Sequence, residues 1–170
     1  MAKKQKGQGG AKASGQPERK LVATHRRARF EYEILETFEA GIVLSGPEVK
    51  SLRDGGASLA EAFAMVRRGE LWLLKMHVRP YEPATRANLE PTRDRKLLLH
   101  KAQIRKIEGR LSEPGVTSVP LSLYFNEAGR AKVEIGLVRG KKLYDKRETV
   151  KRRDADREAR RSMRRGASRR

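Results

Sequence analysis

Two stretches of the chain place cations beside aromatic rings. Arg26, Arg27 and Arg29 run into Phe30 and Tyr32. Arg139, Lys141 and Lys142 run into Tyr144, with Lys146 and Arg147 behind it. Guanidinium and ammonium groups find phosphates while aromatic faces stack on unpaired bases, the combination with which proteins read irregular RNA. Phe30 and Tyr32 would serve equally well as core residues of a strand. Tyr144 lies in a polar stretch with Leu143 as its apolar neighbour, which favours an exposed stacking role.

Other chemistry has little to work with. His25, His77 and His100 are scattered without metal-ligand spacing, and the absence of cysteine excludes disulfides and thiolate zinc sites. Gly136 to Lys142 has the outline of a phosphate loop, but three residues separate Gly136 from Gly140 where the Walker pattern needs four. Lys142 also stands in place of the Ser or Thr that holds magnesium. Ser45 and Ser51 have no nucleophile-elbow context. A binding protein rather than an enzyme is expected, with no cofactor and no metal.

Charge partition says where binding resides. The 170 residues carry a net charge of +19, of which residues 1–29 contribute +8, residues 30–138 only +1, and residues 139–170 +10. A balanced centre can fold alone, whereas self-repelling arms bury little and await a polyanion. The arms lack the Trp, Phe and Leu face of an interfacial helix, so nucleic acid rather than a membrane is the expected partner. Affinity should then fall steeply with salt, because each neutralised phosphate releases counterions. No apolar run approaches the ~20 residues of a bilayer span, and no apolar stretch follows the basic Met1–Lys6 as a signal peptide requires. A cytoplasmic protein, monomeric when free, is expected.

The elements that must position these residues lie in the centre. Residues 1–20 have a flexible, low-complexity composition, read as a disordered basic arm. Phe30 to Ile34 alternates like a strand with one buried face. Glu39-Ala40-Gly41 reads as a turn into a second strand, Ile42–Leu44. Ser45 to Gly55 reads as a short helix, with Pro47 at its first position, Glu48 at its positive end and Gly55 as a left-handed stop. Ala57–Val66 and Leu71–Val78 read as strands around a turn at Arg67–Glu70, and Arg79–Thr92 as a loop. Thr92 is placed as the cap of a helix from Arg93 to Glu108, ended by Gly109. Val116–Phe125 and Ala131–Val138 form a hairpin. The whole predicts a mainly β fold with flanking helices: a small OB-like antiparallel barrel over residues 21–138, which leaves no long exposed edge. Residues 139–170 form a basic tail whose Ala155, Ala159 and Met163 are too thin a stripe to hold a helix in free solution.

Four blocks then become identifiable: Glu36–Ile42, Gly46–Arg53, Pro91–His100 and Gly140–Arg147. In content and order they resemble the SmpB family, bacterial SsrA-binding proteins that partner transfer-messenger RNA (tmRNA), from about Leu21 to the C-terminus. His25 stands where many relatives have Asn, and Phe30 where many have His.

The resemblance implies an OB-like barrel bound to the tRNA-like domain of tmRNA. It implies delivery of alanyl-tmRNA, indirectly with the elongation factor EF-Tu, to stalled ribosomes for trans-translation. By the same likeness, the tail contacts small-subunit rRNA at the decoding centre and becomes helical in the empty messenger channel. The likeness implies tmRNA contacts at His25, Arg26, Glu39, Leu99 and His100, and the basic residues Arg27, Arg29, Lys50, Arg53, Arg95 and Lys96 are further candidates for the same RNA. Lys141, Lys142, Tyr144, Asp145, Lys146, Arg147, Lys151, Arg152 and Arg153 are the implied decoding-centre and tail residues. A structural rRNA-binding component of the ribosome is the alternative that composition leaves open.

Overall fold

Alternating apolar and polar residues in the centre of the chain become a closed antiparallel sheet. The computed structural model describes residues 19–84 and 89–141. Its strands are β1 (Lys20–Thr24), β2 (Tyr32–Ile42), β3 (Ala57–Ser58), β4 (Phe63–Arg67), β5 (Glu70–Leu74), β6 (His77–Val78), β7 (Arg95–Leu98), β8 (Val116–Phe125) and β9 (Ala131–Gly140). The helices are α1 (Ala28–Glu31), α2 (Gly46–Arg53) and α3 (Lys101–Leu111), and a 3-10 turn covers Glu82–Ala84.

The strands pair in the order β1-β8-β4-β5-β7-β2-β9, and β8 also pairs with β9. That last pairing closes six strands into a ring, with β1 laid along β8. The result is the mainly β, OB-like fold that the sequence predicts. β3 and β6 form a separate two-stranded sheet. Inward residues of the ring, among them Ala40, Leu71, Leu73, Leu97, Leu123, Val133, Ile135 and Leu137, are buried in one core with Ile107 of α3. Each Val, Leu or Ile among them contributes roughly 1.5–3 kcal/mol by leaving water.

Local chemistry explains the elements that match expectation. Pro47 lies in the first turn of α2, the Glu48 carboxylate accepts the Ser45 amide at 2.7 Å, and Gly55 sits at φ +74°. Arg68 and Gly69, both at positive φ, make the tight turn between β4 and β5.

Several boundaries differ from the sequence reading. Phe30 belongs to α1, so the alternating strand starts at Tyr32. Glu39-Ala40-Gly41 is no turn, because β2 runs unbroken through it to Ile42. The strand expected over Ala57–Val66 divides into β3 and β4. The one expected over Leu71–Val78 breaks where Lys75 takes φ 55°. The helix expected from Arg93 is instead strand β7, and the helix itself starts at Lys101. Lys142 and the predicted tail residues after it lie outside the described residues.

Candidate nucleic-acid interface

Register across the ring builds one continuous outer row. Leu21 of β1 is partnered with Tyr124 of β8, Tyr124 with Lys132 of β9, Lys132 with Gly41 of β2, and Gly41 with Leu98 of β7. Beside it runs a second row, Thr24, Ser122, Glu134 and Glu39. Glu39 is exposed on this face because Phe38 and Ala40, its neighbours along the strand, point into the core.

Three groups hold the Glu39 carboxylate. The Tyr124 hydroxyl donates to Oε2, Lys132 Nζ stands 3.4 Å from Oε1, and Arg19 stands 3.9 Å from Oε2 while covering the Tyr124 ring at 4.8 Å. The Tyr124 bond, with Lys132 and Arg19, outweighs partial burial and keeps the Glu39 pKa below the ordinary carboxylate value. Burial, then the bond to Glu39, pushes the Tyr124 phenol up to about 12. An acid in this setting stays ionised, and as an acceptor it suits base or ribose donors rather than phosphates.

Leu98 is the functional candidate that sequence reasoning missed. It is 53% exposed at the end of the outer row, and a Cβ on Gly41 would approach the Leu98 Cβ to 3.3 Å. Leu98, Gly41, Phe125, Arg130 and Lys132 line a cleft of about 400 Å³. The predicted contact Leu99 instead packs against the core, and His100 is exposed with its amide donating to Gln103 Oε1 at 3.2 Å. Strand alternation from Arg95 carried the signal for Leu98, and the helical reading of that segment hid it. The Arg53 guanidinium sits 6.0 Å from the Phe125 ring centroid at this cleft, and Lys50 lies on the same helix over Tyr81.

Arg95, expected among the RNA contacts, lies in the interior. It is 0% exposed, so it offers nothing to RNA. Its Nε donates to Glu48 Oε1 at 2.9 Å, and its other nitrogens donate to the carbonyls of Met76, Arg93 and Pro91 at 2.7–2.9 Å. Arg93 also donates to Glu48, through Nε at 2.9 Å and Nη2 at 2.5 Å. Burial works against the Glu48 carboxylate, but these cations and the Ser45 amide prevail and hold its pKa below normal. Lys96 points outward from β7 and pairs with Glu70.

His25, Arg26, Arg27 and Arg29 gather elsewhere. His25 Nδ1 lies 3.3 Å from the Pro120 carbonyl oxygen, and Arg27 pairs with Glu31 at 3.0 Å. Arg26, Arg27 and Arg29 are exposed. With Thr24, Ser58 and Ala60, His25, Arg26 and Arg27 line a groove of about 550 Å³. Lys141, the first residue after β9, donates its amide to Glu31 O and its Nζ to Arg29 O, each at 3.0 Å. Tyr32, at this end, packs against a small cluster of Ala28, Val119, Leu121 and Val138. Tyr32 is paired with Gly140 and Glu39 with Glu134, so the Arg29–Glu31–Lys141 junction and Glu39 lie toward opposite ends of the β2–β9 ladder, while His25 directly follows Thr24 of the Glu39 row. Seven residues of strand make that separation about 20 Å.

Among the described residues, no helix is long and apolar enough to cross a membrane. A family model described as SmpB protein matches residues 22–165. An SsrA-binding protein of Chlorobaculum tepidum is 55% identical over 148 residues, covering 87% of this chain and 94% of that protein. One from Bartonella henselae is 53% identical over 154 residues, covering 91% and 98%. A solved structure described as "tmRNA-SmpB: a journey to the center of the bacterial ribosome" matches with TM-score 0.61 and 53% identity, over 71% of this chain and 84% of that one.

Proposed function

The chain belongs to the SmpB protein family, and from that membership we propose that it binds tmRNA and brings it to stalled ribosomes in trans-translation. The role is one of binding and delivery rather than catalysis. Ribosome partnership would place the protein in the cytoplasm, with EF-Tu met indirectly through alanyl-tmRNA.

The face around Glu39, Leu98 and His100 is the tmRNA grip in this reading, with Arg53, Lys50 and Lys96 on its flanks. The observation that carries it is an acid held ionised and exposed, beside an exposed leucine, on a chain of net charge +19. Such a site selects donors on bases or ribose, while surrounding cations supply phosphate affinity. The opposite end of the β2–β9 ladder, where Lys141 meets Arg29 and Glu31, launches the tail toward small-subunit rRNA in the decoding centre and empty messenger channel. Arg29 sits at the root of that tail, where Lys141 Nζ donates to its carbonyl, whereas His25 follows Thr24 of the Glu39 row and stays with the tmRNA end in this reading.

Truncation tests the division of labour. Deleting residues 151–170 should leave the affinity for the tRNA-like domain within about twofold, since those contacts lie on the barrel. Peptide tagging on ribosomes stalled on truncated messages should be abolished. Equal loss of affinity and tagging would refute separate roles for barrel and tail.

A further inference from the structure

Glu39 and Glu134 are cross-strand partners on the outer face, and like charges so placed repel. The flanking strand answers both. Ser122 Oγ donates to Glu134 Oε2 at 2.9 Å, drawing that carboxylate toward β8, and the next outward residue on β8, Tyr124, donates to Glu39 Oε2. Lys132 holds the other oxygen of Glu39 from β9. Tyr124 is itself only 3% exposed, beneath Arg19, so it has almost no surface with which to touch a ligand. What it can do is select one orientation of its neighbour.

We propose that Tyr124, supported by Lys132, is a positioning residue for Glu39: its hydroxyl fixes the carboxylate so that the remaining acceptor sites face outward, ready for donors on an RNA base or ribose. A carboxylate has about four acceptor sites, and Tyr124 on one oxygen and Lys132 on the other, with Arg19 beyond hydrogen-bond reach at 3.9 Å, leave capacity on each oxygen. Rotamer freedom is thus given up on folding rather than on binding, which preserves affinity. The charged and titratable groups facing Glu39 are Tyr124 and Glu134 from the sheet, Lys132 from β9, and Arg19 from the chain before β1. The inference rests on Glu39 being an RNA contact.

A double-mutant cycle on the full-length chain separates the two ideas. The probe is a transcript of the tRNA-like domain, and the readout is Kd by filter binding at fixed salt. Tyr124→Phe keeps the ring under Arg19 and removes only the hydroxyl. It should weaken binding about three- to tenfold, and should add nothing once Glu39→Gln is present. Lys132→Gln provides the same cycle from the other oxygen if the Tyr124 variant folds poorly. In carbon-13 NMR, the Glu39 carboxyl of Tyr124→Phe should titrate at higher pH than in the parent, because its anion has lost a donor. Unchanged affinity in Glu39→Gln would remove the RNA contact and the positioning role with it. A weakened Glu39→Gln beside a fully active Tyr124→Phe would overturn positioning alone. Equal losses from Tyr124→Phe in both backgrounds would show that Tyr124 acts independently of Glu39, and would also overturn it.

Discussion

Glu48→Gln is the most informative single change to the barrel. The Glu48 carboxylate accepts the Ser45 amide at 2.7 Å, Arg95 Nε at 2.9 Å, and Arg93 through Nε at 2.9 Å and Nη2 at 2.5 Å. Arg95 is wholly buried, so its charge has no recourse to solvent. A glutamine keeps the shape but removes the counter-charge and turns one acceptor into a donor facing donors. Removing one partner of a buried ion pair costs about 3–5 kcal/mol, a large part of the ~5–15 kcal/mol that holds a typical domain. The melting temperature should fall by about 10–20 °C for a barrel of this size, as followed by circular dichroism.

The pH dependence has a fixed sign. The folded pKa of Glu48 is depressed, so its contribution is fully present above the ordinary glutamate value of 4.5 and is lost as pH falls through the lower folded value. The gap between parent and variant should therefore close in acid. Replacing the pair together, with Glu48→Leu and Arg95→Met, should recover only part of the loss: the buried Arg95 charge is gone, but Arg93 loses the carboxylate it donates to and the carbonyls of Met76, Arg93 and Pro91 lose their donor. A Glu48→Gln protein within about 1 kcal/mol of the parent in urea titration would refute the view that this cluster locks α2 to β7.

Two further changes separate recognition from folding. Leu98→Asn should leave urea stability within about 0.5 kcal/mol, as for an ordinary surface position, yet weaken binding of the tRNA-like domain in a filter assay; unchanged affinity would remove the 400 Å³ cleft from the interface. Gly136→Ala should cost roughly 1–3 kcal/mol by overpacking, since its Cβ would lie 2.9 Å from Leu121 Cδ1 in a buried strand pair, and a neutral melting temperature would contradict that.

Punctuation in the sequence was legible where one residue type has one physical meaning. Pro47 and Gly55 bracket α2, Arg68-Gly69 turns the β4–β5 hairpin, and the β8–β9 hairpin falls around Asn126–Gly129 as expected. The segment from Arg93 departs from its expected helix because hydrophobic periodicity assumes that charge faces water. In β7 an arginine takes an inward position, Arg95 sharing the buried face with Leu97, while Leu98 takes an outward one. That inversion becomes visible only when Glu48, 47 residues earlier in the chain, arrives as the counter-ion. Gly41 carries a similar ambiguity: a glycine after Glu39-Ala40 suits a turn, but on β2 it is the small residue that lets Leu98 of the next strand approach.

The same reasoning explains why two candidate groups with similar charge belong to different places. Residue types alone put Arg26, Arg27 and Arg29 in one class with Arg53 and Lys96, since each can meet a phosphate. The β2–β9 ladder sorts them, because its hydrogen bonds fix Glu39 at one end and the Glu31–Lys141 junction at the other. A closed ring cannot shorten that distance without breaking several ladder bonds at once, each worth about 1 kcal/mol net. In the proposed reading, whatever conformation the tail adopts on the ribosome leaves the Glu39 face about 20 Å away and unaltered. On that proposal, affinity for tmRNA and entry of the tail into the messenger channel would be tuned separately, from the two ends of the β2–β9 ladder.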